Sequence, residues 1–216
     1  MARILPSLCI AAAAAALGAC STFRETEAVG TPRMSTIAIG SSFVRATQDS
    51  GSYGNGRTTA TVTREPNRQW KGSTVAPWKQ TPGPTLLLDL QHGGFYALLN
   101  GEQPAISWEP VLAWPWPMKV GQTFNRQSTM TLHANNRTVP LEQNVVVEAY
   151  EEVTMPAGTF KAFRIRTVDN HGNDDVNWFS PELTVFVKQK LTRTEKHAAG
   201  PGVRETELVS QNIRHN

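Results

Sequence analysis

Thiols are almost absent from this 216-residue chain, which has two cysteines, Cys9 and Cys20. Both lie in the first 20 residues, so the body of the chain can close no internal disulfide and offers no thiol nucleophile or cysteine metal ligand. Long apolar runs are missing too. The longest, Ile4 to Ala16, falls short of the roughly 20 residues a membrane-spanning helix needs. Charge of one sign is scarce: 21 Lys and Arg stand against 18 Asp and Glu, scattered without a basic run, so nucleic acid is not an expected partner. No Gly-x-Ser-x-Gly elbow or phosphate-binding Gly-x-x-x-x-Gly-Lys loop occurs, and Gly54-Asn55-Gly56 reads as a hairpin tip. The histidines (His92, His133, His171, His197 and His215) include no pair at the i, i+2 or i, i+4 spacing of metal ligands. Catalytic residues, metal ligands and cofactors are therefore not expected.

What stands at the start is more telling. Arg3 precedes the apolar run, and Leu17-Gly18-Ala19-Cys20 puts small residues ahead of a thiol, the order of a cleaved secretory leader. Leu-Gly-Ala-Cys resembles a bacterial lipobox, which implies diacylglycerol on Cys20, cleavage before it, and acylation, as with palmitate, of the new amino terminus. Two lipid signals suffice for stable anchoring. Ser21, rather than an aspartate, implies release to the outer membrane, with the protein on its periplasmic face. The expected organisation is a signal peptide over 1–19, a lipidated N-terminus and tether over 20–35, and one domain over 36–216. Removing Arg3 with the leader lowers the net charge from +3 to +2.

The rest reads as antiparallel strands. Candidates are Ser42–Asp49, Arg57–Glu65, Thr85–Leu90, Phe95–Leu99, Ala105–Trp108, Thr123–Ala134, Arg137–Leu141, Val176–Phe179, Thr184–Thr194 and Val203–Ile213. The clearest hairpin joins Asn144–Thr154 to Thr159–Asp169 through Met155-Pro156-Ala157-Gly158, with proline and glycine where a type I turn prefers them. Phe163 and Ile165 alternate with Arg164 and Arg166, so this strand has one apolar face and one wet one. No amphipathic helix of three turns is evident after residue 35. The fold class expected is all-β: a curved antiparallel sheet forming an open barrel or sandwich.

Three motifs occur in order: Trp116-Pro117-Met118-Lys119-Val120-Gly121, then Met155-Pro156-Ala157-Gly158-Thr159-Phe160, then Trp178-Phe179-Ser180-Pro181-Glu182. Together they resemble an uncharacterised family of bacterial envelope lipoproteins, a domain of unknown function with a Pro-Ala-Gly-Thr-Phe turn and a Trp-aromatic-x-Pro strand. The resemblance covers about Pro115 to Lys188 and implies a curved sheet or open barrel in the periplasm; it implies no activity. Leu183-Thr184-Val185 departs from the family, which has a glycine after the aromatic element.

Trp108, Trp114 and Trp116 fall at even spacing among Pro110, Pro115 and Pro117, a stretch read as a loop or edge crossing. Their indoles either fill the open end of the sheet or line a concave ligand-binding wall. Trp70 and Trp78 show no comparable pattern. Asp169, Asp174 and Asp175 lack the ligand order of a calcium loop and read as a hairpin tip. Glu151 and Glu152 point to opposite faces of a strand, and Arg164, Arg166 and Arg193 offer a possible basic patch. The function expected is a non-catalytic outer-membrane lipoprotein that binds an amphiphile or supports envelope assembly. The alternatives are a protein-interaction module and, more remotely, a hydrolase with dispersed residues.

Overall fold

The structure, a computed structural model, describes residues 33–91 and 93–216; the leader, Cys20 and His92 lie outside the described residues. A 3-10 turn, Met34–Thr36, precedes thirteen strands. They are β1 (Ser42–Gly51), β2 (Gly56–Arg64), β3 (Arg68–Trp70), β4 (Ser73–Thr81), β5 (Thr85–Asp89), β6 (Phe95–Asn100) and β7 (Gln103–Leu112). β8 (Thr123–Leu132), β9 (Arg137–Met155), β10 (Gly158–Asp169), β11 (Asp174–Ser180), β12 (Val185–Arg193) and β13 (Gly202–Asn212) follow. Among the described residues there is no α-helix.

The curved antiparallel sheet is there, and it closes on itself. Every strand but β2 and β3 pairs with its sequence neighbours, β13 returns to β1, and β2 pairs with β4. β2 and β3 share one edge of β4: Thr61–Arg64 lie along Trp78–Thr81, and Arg68–Trp70 along Ser73–Val75. They are one stave broken at Glu65-Pro66-Asn67, so thirteen strands make a twelve-stave barrel. Pro77, in the middle of β4, faces that break, where Glu65 donates its backbone N–H to the Pro77 carbonyl (3.0 Å). A proline costs least where no ladder donor is required. Register shifts in the β1–β13, β5–β6, β6–β7, β9–β10 and β11–β12 pairs supply the local twist that closure needs.

Strand alternation separates lumen from exterior. Along β1 and β13 the partners Arg45↔Leu208, Thr47↔Thr206 and Asp49↔Arg204 face inward. Ala46↔Glu207 and Gln48↔Glu205 face outward. The outward positions carry the ion pairs Arg57–Glu207 and Lys190–Glu205 rather than an apolar band. Twelve staves enclose more room than the eight whose side chains just fill a barrel. Aromatic side chains occupy it, together with two buried clusters, one around Trp78, Leu88 and Leu208 and one around Trp114, Val147, Phe163 and Ile165.

The expected 155–158 turn is present, with Gly158 at φ +132 and the Thr154 and Thr159 hydroxyls 3.0 Å apart. Beyond β11 the hairpin arm puts Phe160 and Ala162 into one buried cluster with Val185, Val187 and Leu208, and Ala157 donates its N–H to the Leu208 carbonyl (3.3 Å). Met34, the first buried residue among those described, lies two residues ahead of the expected domain start at 36.

Three expectations need correction. β3 and β4 were not foreseen, because Pro77 interrupts the pattern and Lys71, at φ 45, together with Gly72 makes the turn. Arg137–Leu141 and Asn144–Thr154 are one strand, β9. The strand expected over Ala105–Trp108 runs on as β7 to Leu112, so Pro110 lies in a strand rather than in a loop; it sits just past the last β7–β8 pair, Glu109↔Thr129, and its carbonyl accepts the Ser128 hydroxyl (2.7 Å).

Candidate functional site

The lumen is built around a run of aromatic rings. Tyr150, Phe163, Trp116, Phe179, Phe186, Trp114, Phe95 and Trp108 follow one another with centroid separations of 4.5, 6.2, 5.4, 5.3, 5.6, 6.2 and 6.3 Å. The three tryptophans singled out in the sequence therefore belong to one assembly. Trp108 projects from β7. Trp114, Trp116 and the buried Met118 come from the β7–β8 connection, which is fastened to β9 where Gly121 N–H meets the Val147 carbonyl (2.8 Å) and Val147 N–H meets the Gln122 carbonyl (2.9 Å).

Beside this run lies a cavity of about 130 Å³. Its apolar wall includes Met34, Phe43, Trp78, Leu86, Phe95, Trp114 and Phe186. Of the three sequence candidates, only Trp114 lines it; Trp116 packs on Phe163 and Phe179 instead, and Trp108 reaches Phe95. Trp78, which showed no pattern in the sequence, is part of the wall.

The polar part of the wall is Arg45, Gln80, Thr184 and Gln189. Arg45 Nη2 donates to Gln80 Oε1, and Gln80 Nε2 donates to the Pro82 carbonyl (3.1 Å). The Gln80 backbone N–H donates to the Pro84 carbonyl (3.0 Å), so the Thr81–Pro84 turn holds both the main chain and the side chain of Gln80. Gly83 permits it: a Cβ there would lie 2.6 Å from Gln80 Nε2. Burial, and secondarily the charge of Arg204, push the Arg45 guanidinium down to about 10. It stays a cation at neutral pH. Nε of Arg45 and Nε1 of Trp78 are buried without a hydrogen-bond partner. A sequence signal for Arg45 existed, because it shares a strand face with Phe43, but it was not singled out.

Other charged groups in the barrel find partners of different kinds, although Nε of Arg64 and of Arg126 is buried without one. Arg204 makes a two-pronged contact with Asp49 (2.7 and 2.8 Å) and lies over the Tyr53 ring, as does Arg193. Burial, reinforced by the nearby Asp169 and Asp174, pushes the Asp175 carboxyl up to about 7, although it accepts the Thr192 N–H (2.9 Å). Arg126, also buried and pushed down to about 10, lies over Trp114 and donates to the Ala113 carbonyl (3.4 Å).

The remaining sequence candidates resolve into structure. Asp169 accepts from the backbone N–H of His171 and Asn173 (2.9 Å each), so it caps its own loop. Asp174 pairs with Arg166, and Arg164 bridges Glu148 and Glu151, which dissolves the suggested basic patch. Among the described residues no three His, Cys, Asp or Glu converge as metal ligands. A larger depression of about 300 Å³ on the outer face is lined by Arg57, Lys188, Glu205 and Glu207. There the Arg57–Glu207 pair (3.1 Å) is solvent-exposed, so the larger hollow has the weaker chemistry.

No protein-family model matches the chain, and no curated protein does. Among solved structures the chain is similar to a Bacteroides fragilis protein described as exported and of YmcC-like fold, at 13% identity and TM-score 0.49, covering 84% of this chain and 99% of that one. It is similar to a candidate lipoprotein of Parabacteroides distasonis, at 13% identity and TM-score 0.48, covering 85% of this chain and 100% of that one. It is also similar to the hypothetical lipoprotein YmcC of Escherichia coli, at 9% identity and TM-score 0.48, with 79% and 84% covered.

Proposed function

We propose that this chain is a non-catalytic, lipid-anchored binding barrel that holds a small amphiphile in its lumen. The anchor is an acylated Cys20 at the periplasmic face of the outer membrane, and the body is the twelve-stave barrel. The observation that carries the reading is the cavity beside the aromatic run. Its wall is apolar and largely aromatic with a few polar groups on one side, the composition of a small-molecule site.

The volume sets the scale of the guest. About 130 Å³ is close to the roughly 150 Å³ engineered cavity that accepts benzene, so one short to medium single chain fits better than a two-chain lipid. Six buried methylenes contribute about 5 kcal/mol before ordering costs, which corresponds to a Kd of roughly 0.1–1 mM. Trp78 and Trp114 line the cavity, so their fluorescence reports occupancy. Titration of the full chain with n-alcohols of six to twelve carbons is expected to give a saturable shift in emission. A flat response to the whole series would end this reading.

A further inference from the structure

We propose that the guest is acidic: a single-chain carboxylate whose head group is received by Arg45 and whose tail lies along the aromatic wall. This rests on the reading of the lumen as an amphiphile site and adds its charge. Arg45 and Trp78 line one cavity, and each keeps a buried nitrogen donor, Nε and Nε1, without an acceptor. Buried donors are normally paired, and a buried cation normally has a counter-charge. Among the described residues no carboxylate forms an ion pair with Arg45, and its one side-chain partner is the neutral Gln80. Asp49, two positions beyond Thr47 on the same strand face, is held by both prongs of Arg204. Arg204 itself repels Arg45.

The site is also built. The Thr81–Pro84 turn fixes Gln80, and Gly83 leaves the space that Gln80 needs, so the guanidinium is steered by a neighbour with no other evident task. Arg126 provides the contrast. It is equally buried, but it lies against Trp114, donates to a backbone carbonyl and does not line the cavity. One cation packs; the other faces a wall that holds donors and no anion.

A head-group series on the full chain, with Cys20→Ser so that no acyl group of its own competes, tests the assignment. Octanoate, octanol and octylammonium share a tail, and tryptophan emission or calorimetry reads their affinities. A hydrogen bond to a charged group is worth enough to predict octanoate at least tenfold tighter than octanol, with octylammonium weakest. Arg45→Met is expected to abolish the preference for octanoate over octanol, while Arg126→Met keeps the preference. Equal binding of octanoate and octanol by the unsubstituted Arg45 protein would overturn the acidic head, whether or not Arg45→Met folds, and would leave the amphiphile reading standing. If no member of the series binds, both readings fall.

Discussion

The guanidinium carbon of Arg126 lies 4.3 Å from the centroid of the Trp114 ring, so a buried cation rests on an aromatic face rather than on a carboxylate. Arg126 is 9% exposed and its Nε has no partner. Exchanging an unpaired buried charge for an apolar side chain of similar volume is usually neutral or stabilising. Arg126→Met is therefore expected to hold or raise the melting temperature. Trp114→Ala is expected to lose about 3–5 kcal/mol, because the cavity it leaves cannot collapse inside a closed barrel. Urea denaturation of both variants checks the opposite signs.

Stability should depend on pH through two aspartates acting in opposite directions. Asp175, raised to about 7, keeps a proton in the folded state that the unfolded chain has released by about pH 4. Its contribution is therefore largest at low pH and is lost as pH climbs toward 7, by up to about 1.4 kcal/mol per unit. Asp49 is held below the usual carboxylate range, chiefly by its hydrogen bond to Arg204. Its contribution is present above the unfolded value and disappears as pH falls through the folded one. Denaturation midpoints between pH 3 and 8 should lose the near-neutral slope in Asp175→Asn and the acid limb in Asp49→Asn.

Gly83→Ala should disturb the cavity through Gln80, a residue of its polar wall. The backbone there is at φ +137, and the new Cβ would press on the Gln80 amide. We expect a loss of about 1 kcal/mol or more and a weaker octanoate preference, because Gln80 no longer steers Arg45. Thermal melts with the octanoate–octanol pair read both effects.

The hairpin arm should prove integral to the barrel. Phe160 is 9% exposed and is clustered with Val185, Val187 and Leu208, so Phe160→Ala is expected to cost about 3 kcal/mol. Chemical denaturation measures it, and a change within 0.5 kcal/mol would show the arm to be loosely attached.

Strands were legible where the signal was local. Pro156 and Gly158 announce their own turn, and Phe163, Ile165 and the two arginines between and after them display a two-residue period. β4 was hidden because Pro77 sits mid-strand, which is tolerable only opposite the Glu65–Asn67 break, a feature of pairing that no short window reveals. The tryptophans of 108–116 were noticed, yet which of them meets the cavity depends on how the connection crosses the lumen. Arg45 and Gln80 lie 35 residues apart and meet only because β1 and β4 flank β2 around the ring.

That ring is unevenly stitched. β9 and β10 share twelve residue pairs, whereas β7 and β8 are joined through four, Ile106–Glu109 against Thr129–Leu132. β5 and β6 are joined through four pairs as well, so transient parting of the wall should begin at thin joints such as these, and deuterium should enter the Ile106–Glu109 amides before those of β9. A guest entering by that route would have its doorway in the side of the cask rather than at its lid.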